Sequence, residues 1–310
     1  MYQNYIFDLY GTLVDIHTNE KKAYLWKKMS LFFGMKGAAY EPKELRMAYE
    51  TKIKEQEAAL KMECRGSHVP EIDIADVFRQ LFEDQAVSVT EEEIADLAKM
   101  FRAISIEELK LFPGVPEMLQ RLKDAGKKVF LLSNAQALFT APEISLLGLT
   151  KYFDGILLSS DAGVKKPDPA FYEMLLKQYH LNPAECLMTG NDDIADCHGA
   201  ASAGIASRYV ATRQSPKING SLPENCEKMG ETEKLVKAPE NGQHMSLLAK
   251  LSSWFTGLKA EFNKIIWPDK QSLARQTGAV VATSVVLGLV IALLDFLIQY
   301  GVDFLVGLSF

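Results

Sequence analysis

Four polar clusters in the N-terminal part of this chain hold residue types that do chemistry together. Asp8 follows the apolar run Tyr5-Ile6-Phe7, and Ser133-Asn134 follows Val129-Phe130-Leu131-Leu132. Lys165-Lys166 comes after the strand pattern between Tyr152 and Leu158. Asn191, Asp192, Asp193 and Asp196 come after Cys186-Leu187-Met188. In an open parallel sheet, ligands bind at the carboxyl ends of strands. A carboxylate, a hydroxyl, an ammonium and an acidic group therefore meet at one spot. Such a set suits covalent hydrolysis: one carboxylate attacks an electrophile, the hydroxyl and ammonium hold anionic oxygens, and the acids hold a divalent cation.

The elements needed to position these clusters are legible as patterns. Short apolar runs at 5–7, 128–132, 186–188 and 207–210, with another inside 152–158, read as buried strands. Helical spacing separates them at 141–147 and 169–179, so a Rossmann-like parallel sheet with helices on both faces is expected. Between about 16 and 108 the pattern is helical. Ile74, Val77, Phe78, Leu81 and Phe82 fall on one helix face, and Thr90 with Glu93 forms a capping box. This block reads as a helical cap inserted after the first strand.

The chain has 310 residues, 48% of them apolar, and a net charge of −6. That charge argues against a nucleic-acid partner. The four cysteines form no C-x-x-C pair, so a reducing compartment is expected, with neither a disulfide framework nor a structural zinc site. From 214 to 244 Pro, Gly, Asn, Glu and Lys dominate, and the segment reads as a flexible linker. Apolar residues at helical spacing follow over 246–266, with Trp254, Phe255 and Phe262 among lysines. Trp267-Pro268 interrupts that pattern. Gln276 to Leu294 is a nineteen-residue run without charge, long enough to cross a hydrocarbon layer of about 30 Å. Expected here are a surface amphipathic helix and one transmembrane helix over about 276–298. Lysines and Arg275 precede the span and no Lys or Arg follows it, which places the N-terminal side in the cytoplasm.

The motifs Asp8-Leu9-Tyr10-Gly11-Thr12, Ser133, Lys166 in Lys165-Lys166-Pro167-Asp168, and Gly190-Asn191-Asp192-x-x-x-Asp196 resemble, in order, those of the haloacid dehalogenase-like hydrolases. The resemblance covers about residues 1–213. It implies Asp8 as nucleophile, with Ser133 and Lys166 holding substrate oxygens and Thr12 and Asn134 beside the substrate. It also implies Mg²⁺ on Asp8, the Tyr10 carbonyl, Asp192 and Asp196. Tyr10 stands where phosphatases of the family carry a second Asp as general acid, whereas their dehalogenases carry Tyr. The acidic fourth motif is more complete than in those dehalogenases. A phosphatase acting on a small phosphorylated substrate is favoured. A dehalogenase acting on a halogenated one, or a weakly active domain with the C-terminus as mere membrane anchor, is the alternative.

Residues 245–310, through Glu261-Phe262-Asn263-Lys264-Ile265-Ile266-Trp267-Pro268, resemble the SecE subunit of the bacterial Sec preprotein translocase. This implies SecY and SecG as partners, SecA indirectly, and a single-pass place in the cytoplasmic membrane. No coupling between the two halves is apparent, and the chain reads as fusion-like.

Overall fold

The computed structural model describes residues 2–64 and 68–229. In chain order its elements begin with β1 (Asn4–Phe7), β2 (Val14–Thr18), α1 (Ala23–Met35), α2 (Pro42–Glu63), α3 (Ile74–Glu83) and α4 (Glu91–Ser105). Then come β3 (Ile106–Leu111), α5 (Val115–Asp124), β4 (Lys128–Ser133), α6 (Ala137–Leu146), β5 (Gly155–Leu158), α7 (Ser159–Ala162) and α8 (Pro169–Gln178). The last are β6 (Cys186–Gly190), a π-helical turn (Asp193–His198), α9 (Gly199–Ser202), β7 (Ala206–Val210) and β8 (Cys226–Met229).

Six strands form one parallel sheet in the order β5-β4-β1-β6-β7-β8. Strand alternation divides its core in two. Phe7, Val129 and Leu131 pack on one face, while Ile6, Phe130, Leu132 and Met188 pack on the other. A sheet covered on both faces needs apolar residues at every position, and this is why its inner strands show as unbroken apolar runs. Strand order reverses around β1, so the polar clusters at the ends of β1, β4 and β6 converge at the switch point.

The helical block between the first strands is α1 to α4, with a core of its own. Phe33 stacks on Phe82 and Tyr49 on Phe78, while Trp26 and Phe101 pack against these rings by edges and tilted faces. The expected stripe on α3 is buried, and the Thr90–Glu93 capping box opens α4. A two-stranded antiparallel ribbon, β2 with β3, joins this block to the sheet, where the sequence pattern over 16–108 is read as helical throughout. The block is also stitched to the sheet domain. Gln136 bonds the backbone at Ile72 and Ile74, and Asp168 accepts from Val69 N at 2.7 Å.

The linker expectation needs correcting at its start. Residues 214–229 belong to the hydrolase fold: β8 pairs in parallel with β7, Gln214 bonds Asp15, and Asn219 N donates to Asp193. These residues are held by hydrogen bonds at a sheet edge rather than by apolar burial, so hydropathy misses them. The expected amphipathic helix over 246–266 and transmembrane helix over 276–298 lie outside the described residues. Among the described residues no helix is long and apolar enough to cross a membrane.

Candidate active site

Asp8 leaves the end of β1 with its backbone N–H still bonded to Thr189 O on β6, which fixes where its side chain emerges. Three donors meet its carboxylate. Ser133 Oγ donates to Oδ1 at 3.1 Å, Lys166 Nζ donates to Oδ1 at 2.8 Å, and Thr12 Oγ1 lies 3.0 Å from Oδ2. The Thr12 hydroxyl shares its proton with Asn191 Oδ1 at 3.2 Å. All of these side chains are buried, and Lys166 is only 3% exposed. Two glycines make room. A Cβ on Gly11, at φ +79°, would meet the Asn191 amide, and one on Gly190 would overlap the Asp196 carboxylate. Neither place admits a larger side chain.

The sequence expectation brought Asp8, Thr12, Ser133, Lys166 and Asp196 to one site, and the fold does place them together. Several of their contacts differ from the expectation. Asp196 is committed to Lys166 at 2.7 Å and accepts from Asp192 N at 3.0 Å. Burial pushes its carboxyl up to about 6, against the opposing pull of Lys166. Burial alone would lower Lys166, but the carboxylates of Asp196 and Asp8 outweigh it and hold the ammonium above its usual range. Asp196 thus serves as counter-ion to Lys166. Asn134 was expected to face substrate. Its amide instead clamps the next loop, donating to Lys166 O at 3.0 Å and accepting from Lys166 N at 2.8 Å, although it also borders the cleft. Thr12 is fully buried and holds the Asp8 carboxylate in place.

Asp192 caps the π-helical turn, its Oδ1 accepting from Ile194 N and Ala195 N. Its Oδ2 makes no hydrogen bond among the described residues, where no group of three or more His, Cys, Asp or Glu side chains is placed to hold a metal. A four-group cage is therefore not what this site offers. Mg²⁺ needs only one or two carboxylates and keeps several waters. Asp8 and the open oxygen of Asp192 fit that demand; Asp196, engaged by Lys166, does not.

Tyr10 shows the largest departure from expectation. Its hydroxyl donates to Glu143 Oε2 at 2.5 Å and lies 3.0 Å from Thr140 Oγ1. The other oxygen of Glu143 accepts from Arg102 Nε at 2.6 Å, and the guanidinium lies over the Tyr10 ring. Burial, reinforced by the Glu143 charge, raises the phenol well above its usual range. Tyr10, Arg102 and Glu20 line a cleft of about 280 Å³ between the helical block and the sheet domain, with Tyr49, Asn134 and Phe139. Sequence reasoning missed Glu143, Arg102 and Glu20, which carry no motif; Arg102 and Glu143 also lie far from Asp8 along the chain.

With this geometry in view, comparison with known proteins decides the family. Residues 2–204 match the family described as haloacid dehalogenase-like hydrolase. The chain belongs to this hydrolase family. A separate match covers residues 252–306, to the SecE/Sec61-gamma subunits of protein translocation complex. Among relatives, ribulose-1,5-bisphosphate 5-phosphatase of Halopiger xanaduensis is 30% identical over 100 residues, 32% of this chain and 42% of the relative. Phosphoserine phosphatase of Thermus thermophilus is 28% identical over 151 residues, 48% of this chain and 58% of the relative. The chain thus spans less than two-thirds of the length of these curated relatives. Among solved structures, 2-haloacid dehalogenase from Pseudomonas syringae pv. Tomato DC3000 superposes with a TM-score of 0.52 at 19% identity, covering 82% of this chain and all of that one. That likeness establishes the shared hydrolase fold.

Proposed function

We propose that the hydrolase part of this chain cleaves a small phosphorylated substrate through a covalent intermediate on Asp8. The observation that carries this reading is the convergence of Ser133, Lys166 and Thr12 on one carboxylate at the sheet's switch point. Asp8 attacks phosphorus and the bond to the leaving oxygen breaks. The phosphoryl oxygens then take over the donors of Ser133 Oγ and Lys166 Nζ, which stabilise the charge that develops there. Water next attacks phosphorus, the Asp8–phosphoryl bond breaks, and phosphate departs. Asp196 keeps Lys166 charged and in place throughout. Asp8, Asp192 and the Tyr10 carbonyl would hold Mg²⁺, which when bound would offset the phosphoryl charge.

The test is release of phosphate from a panel of small phosphate esters by the full chain in detergent, beside its Asp8→Asn variant. Turnover that vanishes with Asp8→Asn supports the reading; no turnover by the unaltered chain removes it. A second reading, dehalogenation, draws support from the engaged Tyr10 hydroxyl, because a halide leaves without a proton. Release of halide from a 2-haloacid in place of phosphate would establish it.

We further propose that residues 245–310 act as a SecE-type subunit that supports protein export beside SecY and SecG. The match over 252–306, the uncharged run and the cationic residues before it support this reading. It puts the hydrolase part on the cytoplasmic side of a single span, with the two activities independent. Immunoblots of fractionated cells with separate probes for each part test it. A membrane band at 34.6 kDa seen by both probes supports the tethered arrangement. A tail signal confined to the soluble fraction overturns it.

A further inference from the structure

A phosphate ester of an alcohol needs a proton on its leaving oxygen, and Tyr10 is not placed to give one. Its hydroxyl is already donated to Glu143, and burial strengthens its hold on the proton. Another acid must face the cleft if such esters are substrates. Glu20 does. It follows β2, at the junction of ribbon and helical block, and lines the same cleft as Tyr10.

The cleft's charged and titratable groups come from several elements. Tyr10 comes from the loop after β1, Tyr49 and Glu57 from α2, Glu71 from the segment before α3, and Arg102 from α4. Most are already engaged. Arg102 is held by Glu143, and Glu71 accepts from Ser159 Oγ at 2.9 Å and pairs with Lys165. Among the described residues the Glu20 carboxyl makes no hydrogen bond and no ion pair. Burial raises it above its usual range, against the opposing pull of Arg102. Its charge in turn helps to raise Tyr49, which lines the same cleft with Arg102. Glu57 lies eight residues further along α2, about 12 Å away at helical rise.

We propose that Glu20 is the proton-transfer residue of this site: its carboxyl protonates the leaving oxygen, and its carboxylate then takes the proton of the hydrolytic water. The assignment rests on the phosphatase reading. In the first step the Asp8–phosphorus bond forms and the phosphorus–oxygen bond breaks. The electron pair goes to the leaving oxygen with the proton of Glu20, giving a free alcohol. In the second step water bonds to phosphorus, its proton returns to Glu20, and the electron pair of the broken bond returns to Asp8. Acid and nucleophile are both regenerated.

The experiment compares kcat/KM for glycerol phosphate, whose alkoxide needs a proton, with that for acetyl phosphate, whose carboxylate does not. It uses the full chain in detergent and its Glu20→Gln and Glu20→Asp variants. Because kcat/KM reports events up to aspartyl-phosphate formation, the later water step does not blur the comparison. Glu20→Gln is expected to lose on the order of 100-fold or more on glycerol phosphate. It should be little changed on acetyl phosphate and should lose the fall in kcat/KM as pH rises. Glu20→Asp should shift the same ratio in the same direction, and it stands in if the Gln variant does not fold. Equal loss on both substrates, or loss on neither, overturns the assignment and leaves the hydrolase standing. If the unaltered chain hydrolyses neither compound, the phosphatase reading falls and this assignment falls with it.

Discussion

Lys166 Nζ lies 2.7 Å from Asp196 Oδ1, and the two side chains are 2% and 1% exposed. The same nitrogen reaches Asp8 at 2.8 Å, so one ammonium bridges two carboxylates in a buried site. Removing one partner of a buried pair is costly because the other charge stays uncompensated. Lys166→Met should therefore destabilise the hydrolase domain by about 3–5 kcal/mol and abolish turnover. Asp196→Asn should cost less, since Lys166 keeps Asp8. Urea unfolding of the three proteins checks the order. Equal stability of Lys166→Met and the parent would mean the pair is not formed in solution.

Asp192 and Asp196 look alike in the sequence and are used differently. Asp192 caps a helical turn with one oxygen and leaves the other open, while Asp196 is engaged by Lys166. Asparagine caps about as well as aspartate, so Asp192→Asn should keep its stability and lose Mg²⁺ affinity. Asp196→Asn should keep that affinity. The rise in melting temperature on adding Mg²⁺ reads this directly. An undiminished rise in Asp192→Asn would take Asp192 out of the metal site.

How much of this was legible beforehand follows from what each feature depends on. The inner strands were readable because a doubly covered sheet forces apolar residues at 129–132 and 186–188. The clusters at their ends followed from parallel topology. β8 was not readable: four residues at a sheet edge, two of them Glu227 and Lys228, need no apolar pattern. The Tyr10–Glu143 contact joins residues 133 apart and exists only because α6 folds back over the end of β1. Residue type pointed to Asp196, but its partner appeared only in three dimensions.

That Tyr10–Glu143 contact gives its own prediction. Tyr10→Phe removes one hydroxyl while Glu143 keeps Arg102, so the cost should be about 1 kcal/mol, typical of one hydrogen bond. Turnover should survive, because the hydroxyl is already donated to Glu143 and the proposed proton donor is Glu20. Glu143→Ala strips partners from both Arg102 and Tyr10 and should cost about 3–5 kcal/mol. Denaturant midpoints and initial rates measured on the same preparations separate the two effects. Loss of turnover in a stable Tyr10→Phe protein would return the proton-donor role to Tyr10.

The thiols of Cys197 and Cys226 lie 3.3 Å apart, the first in the turn that carries Asp196 and the second on β8. The hydrogen bond between the two sulfurs pulls the Cys226 thiol down to about 6 and raises that of Cys197. Burial pushes Cys186 up to about 11. At neutral pH iodoacetamide should therefore label Cys226 well before Cys186, with labelling slowing as the pH falls below about 6. Between that value and the ordinary thiol value of 9.0, the folded chain holds fewer protons at Cys226 than the unfolded chain. Stability should rise with pH across this window, and Cys226→Ser should flatten the rise. A disulfide needs sulfurs about 2.05 Å apart, so a small shift of β8 suffices to close one. With hydrogen peroxide, the Cys226 thiolate takes one oxygen and hydroxide leaves. Cys197 then attacks that sulfur and water leaves, so two thiols are oxidised and one peroxide is reduced. Non-reducing peptide mapping should find Cys197 joined to Cys226, lighter by two hydrogens. A map showing other pairings, or none after both thiols have reacted, would mean that the two sulfurs do not meet in solution.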